Sequence, residues 1–320
     1  LPKYAGLNLA RHEFQKQPVT VPVRIDNRTE RAVLWLGKHE GVDVVLLEHD
    51  GYYGRHGPYG DANGDHHDND LRFSFYAQAV LAASAALGIK PDVIHAHDWQ
   101  AALIPAILKL QQPDAAVAAA KTVLTIHNMA FQGLFPLRTA LKAGFSPQDL
   151  TFDKLEYHGQ FGMLKSGLGL ADALTTVSPN YAREIQSSHA FGMGLEGLLS
   201  YRSRDLHGIV NGVDRAQWNP ATDKTIAFNY DASSAAQGKK ENKTTFQARL
   251  GLTIDASAPV FGVVARLSHQ KGIDLIAEIT PEIVRLGGQL ILTGSGDADY
   301  VQWLKDLQAR HPKHVFINAA

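Results

Sequence analysis

Along the first fifty residues apolar side chains return at every second position. Val19, Val21, Val23 and Ile25 alternate with polar neighbours, and Asp26-Asn27-Arg28-Thr29 then offers turn chemistry. Val33 and Trp35 resume the alternation, and Lys38 to Gly41 gives a second turn before the apolar run Val44-Val45-Leu46-Leu47. Period two punctuated by polar turns predicts two hairpins. From Asp50 to Asp70 the periodicity lapses into a stretch dense in Gly, Asp, His and Tyr, which predicts a long loop. Loops of that length inside compact domains are more often functional than idle.

Helical and strand-like periods then alternate. Helices are predicted over Leu71–Leu87, Trp99–Leu110, most of Asp153–Ala171, and Pro179–Gln186. Asp68 or Asp70 is able to cap the first, and the last begins with proline in its first turn. Between them lie short apolar runs, read as strands, at Asp92–His95, Thr122–Ile126, Ala173–Val177 and Leu206–Val210. Such alternation means a parallel sheet covered by helices. Residues from about Asn219 to Gly238 are polar, and a second series follows. It comprises helices Lys239–Leu250, Ile273–Leu286 and Ala298–Arg310, and strands Val260–Ala265, Gln289–Thr293 and Val315–Ile317.

A chain of 320 residues exceeds the size at which one core keeps growing. The expected organisation is α/β: a first domain over 1–213, a linker over 214–238 and a second domain over 239–320. Two Rossmann-like domains facing one another across a cleft would bind ligands at the carboxyl ends of their strands. The chain opens on Leu1 and stops just after an apolar run, so it reads as cut at both ends, with a strand missing from the first domain and the second incomplete.

Composition narrows the function classes. With 31 Lys+Arg against 32 Asp+Glu the net charge is −1, which argues against a general binder of nucleic acid or membrane surface. A local basic pocket for one phosphorylated ligand remains open. There is no cysteine, so disulfides and zinc–thiolate sites are excluded. No apolar run reaches bilayer-spanning length and no signal-peptide pattern opens the chain, so a cytoplasmic location is the plain reading.

The polar clusters sit where the strand-end rule predicts. They are His95-Ala96-His97-Asp98, His127-Asn128, Ser178 and Asn211-Gly212-Val213-Asp214, then Arg266 to Lys271 and Gly294-Ser295-Gly296-Asp297. Several clusters at successive strand ends describe a crevice that a single one would not. Arg266 and Lys271, in a loop before a helix that starts near Gly272, suit a pyrophosphate: a fork of donors, a point charge and free backbone N–H groups. Solvated loop cations are the plainer alternative for such a pair taken alone. His95, His97 and Asp98 invite a metal reading, but no carboxylate-rich partner accompanies them, and Asp98 is placed to cap the helix after it. Asp65-His66-His67-Asp68 reads as loop leading to a cap. His127 is either a site residue or a buried, hydrogen-bonded histidine. Phe191 to Gly197 is glycine-rich without the Lys-Ser/Thr ending of a phosphate loop, and reads as a mobile loop at the cleft.

Five strings together carry a resemblance. They are Pro91-Asp-Val-Ile-His-Ala-His-Asp-Trp99, Thr125-Ile-His-Asn128 with Gln132-Gly133, and Ala171-Asp-Ala-Leu-Thr-Thr-Val-Ser-Pro179. Gly208-Ile-Val-Asn-Gly-Val-Asp214 with Trp218-Asn-Pro220, and Ala265-Arg-Leu-Ser-His-Gln-Lys-Gly272, complete the set. In order and approximate spacing they resemble the bacterial glycogen and starch synthase family over nearly the whole chain. The resemblance implies a GT-B fold and transfer of glucose from ADP-glucose to the non-reducing end of an α-1,4-glucan with retention, without a metal or other cofactor. It implies that Arg266 and Lys271 hold the donor diphosphate, and that His127 lies beside the transferred glucose. Asp98 and Asn128 would line the sugar site, Tyr53 and nearby loop residues would approach donor or acceptor, and Asn211 would help shape the pocket. Gly294 and Gly296 would let the nucleotide come close to the backbone.

The family's N-terminal Lys-Thr-Gly-Gly-Leu-like loop and its C-terminal Glu-containing motif have no counterpart here, so the 320 residues alone are expected to be inactive. Alternatives are a glucan-binding fragment without turnover and a related GT-B transferase using UDP-glucose. A Rossmann dehydrogenase is disfavoured, since no Gly-x-Gly-x-x-Gly follows an early strand.

Overall fold

The computed structural model describes residues 1–61, 64–111 and 113–320, and only the backbone at 10 and 11. These residues form two compact units, Leu1–Asn211 and Gly212–Ala320.

In the first unit the period-two segment folds as the antiparallel strands β1 (Gln15–Ile25), β2 (Arg28–His39) and β3 (Val42–Glu48), joined by the two expected hairpins. The first turn closes on the Ile25–Arg28 pair, with Asp26 at φ 56°. Val21, Val23 and Ile25 face inward and are buried, while Val19 lies where the register shifts and is exposed.

Helix α1 (Asn69–Ala86) is buried along two rows. Phe75, Ala79 and Ala83 pack on the antiparallel sheet, and Phe73, Ala77 and Leu81 enter the main core. Asp68 does not cap it by side chain: both its oxygens accept from the Arg55 guanidinium, at 2.6 and 2.7 Å. Asp70 instead accepts the Leu71 N–H within the first turn and the Thr139 hydroxyl from another helix.

The rest of this unit is the predicted βα series: β4 (Val93–His97), α2 (Leu103–Leu110), β5 (Lys121–Ile126), α3 (Met163–Leu170), β6 (Ala173–Thr176), α4 (Pro179–Glu184) and β7 (Leu206–Gly208). The sheet order is β7-β6-β5-β4, and every pair is parallel. Leu124, Ile126 and Leu174 are fully buried beneath the helices.

Three expectations are corrected. The helix foreseen over Trp99–Leu110 is broken at Ala102 into Asp98–Ala101 and α2. Most of Asp153–Ala171 is not helical. Glu156–Tyr157 and Gln160–Gly162 form a small hairpin, because His158 and Gly159 both take positive φ and turn the chain back. Finally, the long loop contains a helical turn, Asp50–Tyr53, and a two-strand ladder, Gly60–Asp61 with Gly64–Asp65; residues 62 and 63 of it lie outside the described residues.

The second unit repeats the α/β plan with α5 (Ala235–Arg249), β8 (Val260–Val264), α6 (Ile273–Arg285), β9 (Gln289–Gly294), α7 (Ala298–Arg310) and β10 (Val315–Ala319). Its sheet is parallel in the order β8-β9-β10, over a core of Leu267, Ile273, Leu290, Leu292, Leu304 and Leu307. Among the described residues no helix is long and apolar enough to cross a membrane.

Candidate active site

The parity of strand residues assembles a polar ladder across the ends of β4, β5 and β6. Positions 95 and 97 share one face of β4, and 125 and 127 share that face of β5 and its extension. His97 pairs with Thr125, and Thr125 with Thr175, in the parallel register. Side chains follow: the Thr125 and Thr175 hydroxyls are 2.6 Å apart, and His95 Nε2 is 2.6 Å from Thr125 Oγ1. The His95 and His97 rings stack with centroids 4.3 Å apart, and His97 Nδ1 lies 3.1 Å from His127 Nε2. His127 is exposed, so it belongs to this surface ladder and not to the core.

Asp98 does something other than capping. It adopts φ 54°, in the left-handed region that few side chains tolerate, and its Oδ1 accepts the backbone N–H of His127 at 2.8 Å. Side chain and main chain of His127 are thus anchored separately, by His97 and by Asp98. Burial holds the His97 pKa below its ordinary value, with the imidazoles of His95 and His127 adding to the effect and Asp98 opposing it. Asn128 folds its side-chain oxygen onto the Ala130 N–H at 3.0 Å, shaping the turn that leaves the strand.

Next to the ladder is a cavity of about 490 Å³, lined by Asp65, His66, Asn69, Trp99, Gln132, Gly133, Tyr157 and Met193 among others. The glycine-rich stretch reaches it: Met193, at φ 52°, offers its carbonyl to Gln132 Nε2 at 2.9 Å. Tyr53, by contrast, leaves the candidate set. It is fully buried, and its hydroxyl donates to the Arg72 carbonyl at 2.9 Å, so it is a core residue of the loop's base. Another tyrosine of the loop, Tyr59, packs its ring against Phe73, and its pKa is raised by partial burial and by the charge of Asp98. Sequence reasoning missed Thr125 and Thr175. For Thr125 the signal was there, since it shares parity with His127, whereas Thr175 joins it only through the register of β5 with β6.

In the second unit Arg266 and Lys271 are both exposed in the loop after β8. Lys271 closes a 3₁₀ turn, His269–Lys271, and Gly272 at φ 65° turns the chain directly into α6. Among the described residues neither cation enters an ion pair, so two positive charges stand unneutralised beside the N-terminus of a thirteen-residue helix. One turn on, Asp274 takes its contact at Oδ2 from His269 at 3.3 Å, while Oδ1 is buried without a partner.

Gly294 and Gly296 are required by the protein's own backbone. A Cβ at Gly294 would stand 2.0 Å from the Ala265 carbonyl oxygen, and one at Gly296 would stand 2.2 Å from that of Leu267. Asn211 is exposed beyond β7. Among the described residues no cluster of three or more His, Cys, Asp or Glu is arranged to hold a metal ion.

Comparison with known proteins places this geometry in context. A family model described as the starch synthase catalytic domain matches residues 1–201. The chain is 40% identical to a glycogen synthase of Geotalea daltonii over 319 residues, covering 99% of this chain and 66% of that protein. It is likewise 40% identical over 305 residues to glycogen synthase 2 of Geobacter sulfurreducens, covering 95% and 63% respectively. The catalytic domain of starch synthase IV from Arabidopsis thaliana, solved bound to ADP and acarbose, matches with a TM-score of 0.89 at 29% identity, covering 100% of this chain and 66% of that one. The chain therefore spans just under two thirds of the length of the relatives it matches.

Proposed function

Because the chain belongs to the starch synthase catalytic-domain family, with its GT-B fold, we propose that it carries out retaining transfer of glucose from ADP-glucose to the non-reducing end of an α-1,4-glucan, in the cytoplasm. The observation that carries this reading is the pair Arg266 and Lys271, unneutralised beside a helix N-terminus at a strand end. Departure of a nucleoside diphosphate from the anomeric carbon leaves negative charge on the leaving oxygens and positive charge on the sugar. Arg266 would meet the phosphates as a fork and Lys271 as a point charge, lowering the barrier where other transferases use a metal ion. His127, with Asp98 and Asn128 beside it, would face the transferred glucose, and Asn211 would help bound its pocket. A relative solved with ADP and acarbose supports an adenine nucleotide donor and an α-glucan acceptor.

The test is incorporation of labelled glucose into glycogen from ADP-glucose and from UDP-glucose, by the 320-residue chain and by the same chain carried in a protein of its relatives' length. Lys271→Ala is expected to lower kcat on the order of 100-fold or more while glucan retention on an affinity gel is unchanged. Preference for UDP-glucose would replace the donor. Retention without incorporation in both forms would leave a glucan-binding protein. Unaltered turnover in Lys271→Ala would remove Lys271 from the mechanism.

A further inference from the structure

The contact between His97 and His127 has a strict proton requirement. At an N···N distance of 3.1 Å one proton, and only one, lies between the rings, since two N–H groups collide and two lone pairs repel. The atoms involved are His97 Nδ1 and His127 Nε2. If both rings carry their proton on Nε2, the tautomer that a free histidine side chain favours, the bond runs from His127 Nε2–H to the His97 Nδ1 lone pair. His127 Nδ1 is then left unprotonated, and among the described residues it has no hydrogen-bond partner.

We propose that His97 is a positioning residue for glucosyl transfer, which holds His127 in one ring orientation and in the Nε2–H tautomer so that its Nδ1 is presented to the sugar as a hydrogen-bond acceptor. This deepens the reading of His127 as the residue beside the transferred glucose and rests on it. The surroundings of His97 support the assignment. Three neighbouring groups bear on its charge: His95 stacked at 4.3 Å on its own strand, His127 from β5, and Asp98 next in sequence. Desolvation and the two imidazoles lower the His97 pKa and so disfavour its charged form, and a neutral imidazole is what an acceptor at Nδ1 demands. Asp98 meanwhile fixes the His127 main chain through its N–H, so the ring is the freedom that remains, and His97 removes it.

Two readouts test this on the intact protein. In the first, ¹⁵N-resolved NMR of the His127 ring nitrogens, without substrate, is expected to show Nε2 protonated and Nδ1 bare. His97→Phe keeps a ring in the stack but loses the acceptor, and is expected to give a mixture of tautomers. His97→Asn places an amide oxygen close to the lost Nδ1 and is expected to restore the single form. In the second, His97→Phe is expected to lower kcat about tenfold to a hundredfold, the cost of removing an orienting hydrogen bond behind a ligand-contacting group, with KM for the nucleotide sugar changed less than about threefold. His97→Asn is expected to recover most of that loss. A protonated Nδ1 in the unaltered protein, or a His97→Phe variant with the original tautomer and unreduced kcat, overturns the proposal. If the unaltered protein transfers no glucose at all while the tautomer still follows residue 97, the functional reading fails and the orienting contact stands.

Discussion

Asp98 shows how one residue holds a conformation that its backbone disfavours. The left-handed region costs an ordinary side chain about 1–2 kcal/mol, less for Asp and Asn, whose short polar groups bond locally. Here the carboxylate binds the His127 N–H at 2.8 Å, across to the neighbouring strand. Asp98→Asn keeps both the tolerance and an acceptor oxygen, and is expected to shift stability by less than about 0.5 kcal/mol. Asp98→Ala loses both, and is expected to cost about 2 kcal/mol in urea unfolding. Equal losses in the two variants would show that neither the acceptor nor the conformation matters. The sequence named Asp98 but read a cap for it, because a carboxylate before a helix is the ordinary capping signal and a positive φ leaves no trace in residue order. The histidines were legible only in part: strand parity puts 95 and 97 on one face of β4, but that 127 joins them follows from the register with β5.

At the scale of elements, the Asp50–Asp70 loop was legible as a loop but not in its fastening. The resemblance set Tyr53 beside donor or acceptor, yet it lies buried at the loop's base, its hydroxyl bonded to the Arg72 carbonyl. Arg72 is fully buried and, among the described residues, has no carboxylate in ion-pair contact, a position that lowers its pKa by burial. It donates to the Tyr52 carbonyl at 2.7 Å, to Asn69 Oδ1 at 2.5 Å and to the Pro58 carbonyl at 3.1 Å, and it lies over the rings of Tyr53 and Phe73. Such a side chain holds the loop from within, and with it Asp65 and His66, which line the cavity. Arg72→Met preserves the apolar stem but leaves several buried acceptors unmet, so a loss of about 3 kcal/mol is expected. Protease cleavage is expected to concentrate between residues 50 and 70. Cleavage spread evenly over the chain would mean that Arg72 supports the core at large.

Across the whole molecule, alternating βα periods were enough to foresee two parallel α/β sheets, since buried parallel strands read as apolar runs whatever their neighbours. Charge placement was not legible in that way. A net charge of −1 conceals carboxylates whose partners come from distant segments. Asp172 accepts from the Thr122 N–H at 2.8 Å, the Thr122 hydroxyl at 2.9 Å and Lys109 at 3.0 Å. Burial alone would raise its pKa, but those donors bring it down to about 2. Glu48 is likewise raised by burial and lowered further by Lys3, Lys16 and the Trp35 indole, to about 2.

Both groups have a folded pKa below the unfolded value, so the stability they supply is full above the ordinary carboxylate range and disappears as pH falls through the folded pKa. Unfolding free energy of the unaltered chain is therefore expected to be level from pH 7 to about 5 with respect to these groups and to fall between about pH 4.5 and 2. Each contributes about 1 kcal/mol after allowance for solvent screening. Asp172→Asn keeps the oxygen that faces Thr122 but cannot take up a proton. It is expected to be less stable than the unaltered chain at pH 7, with the gap closing as the pH drops below 4. Urea unfolding at pH 7, 4 and 2.5 distinguishes the cases. A gap that stays constant with pH would mean that Asp172 titrates alike folded and unfolded, and that the bridge between Thr122 and Lys109 owes its strength to hydrogen bonding without charge.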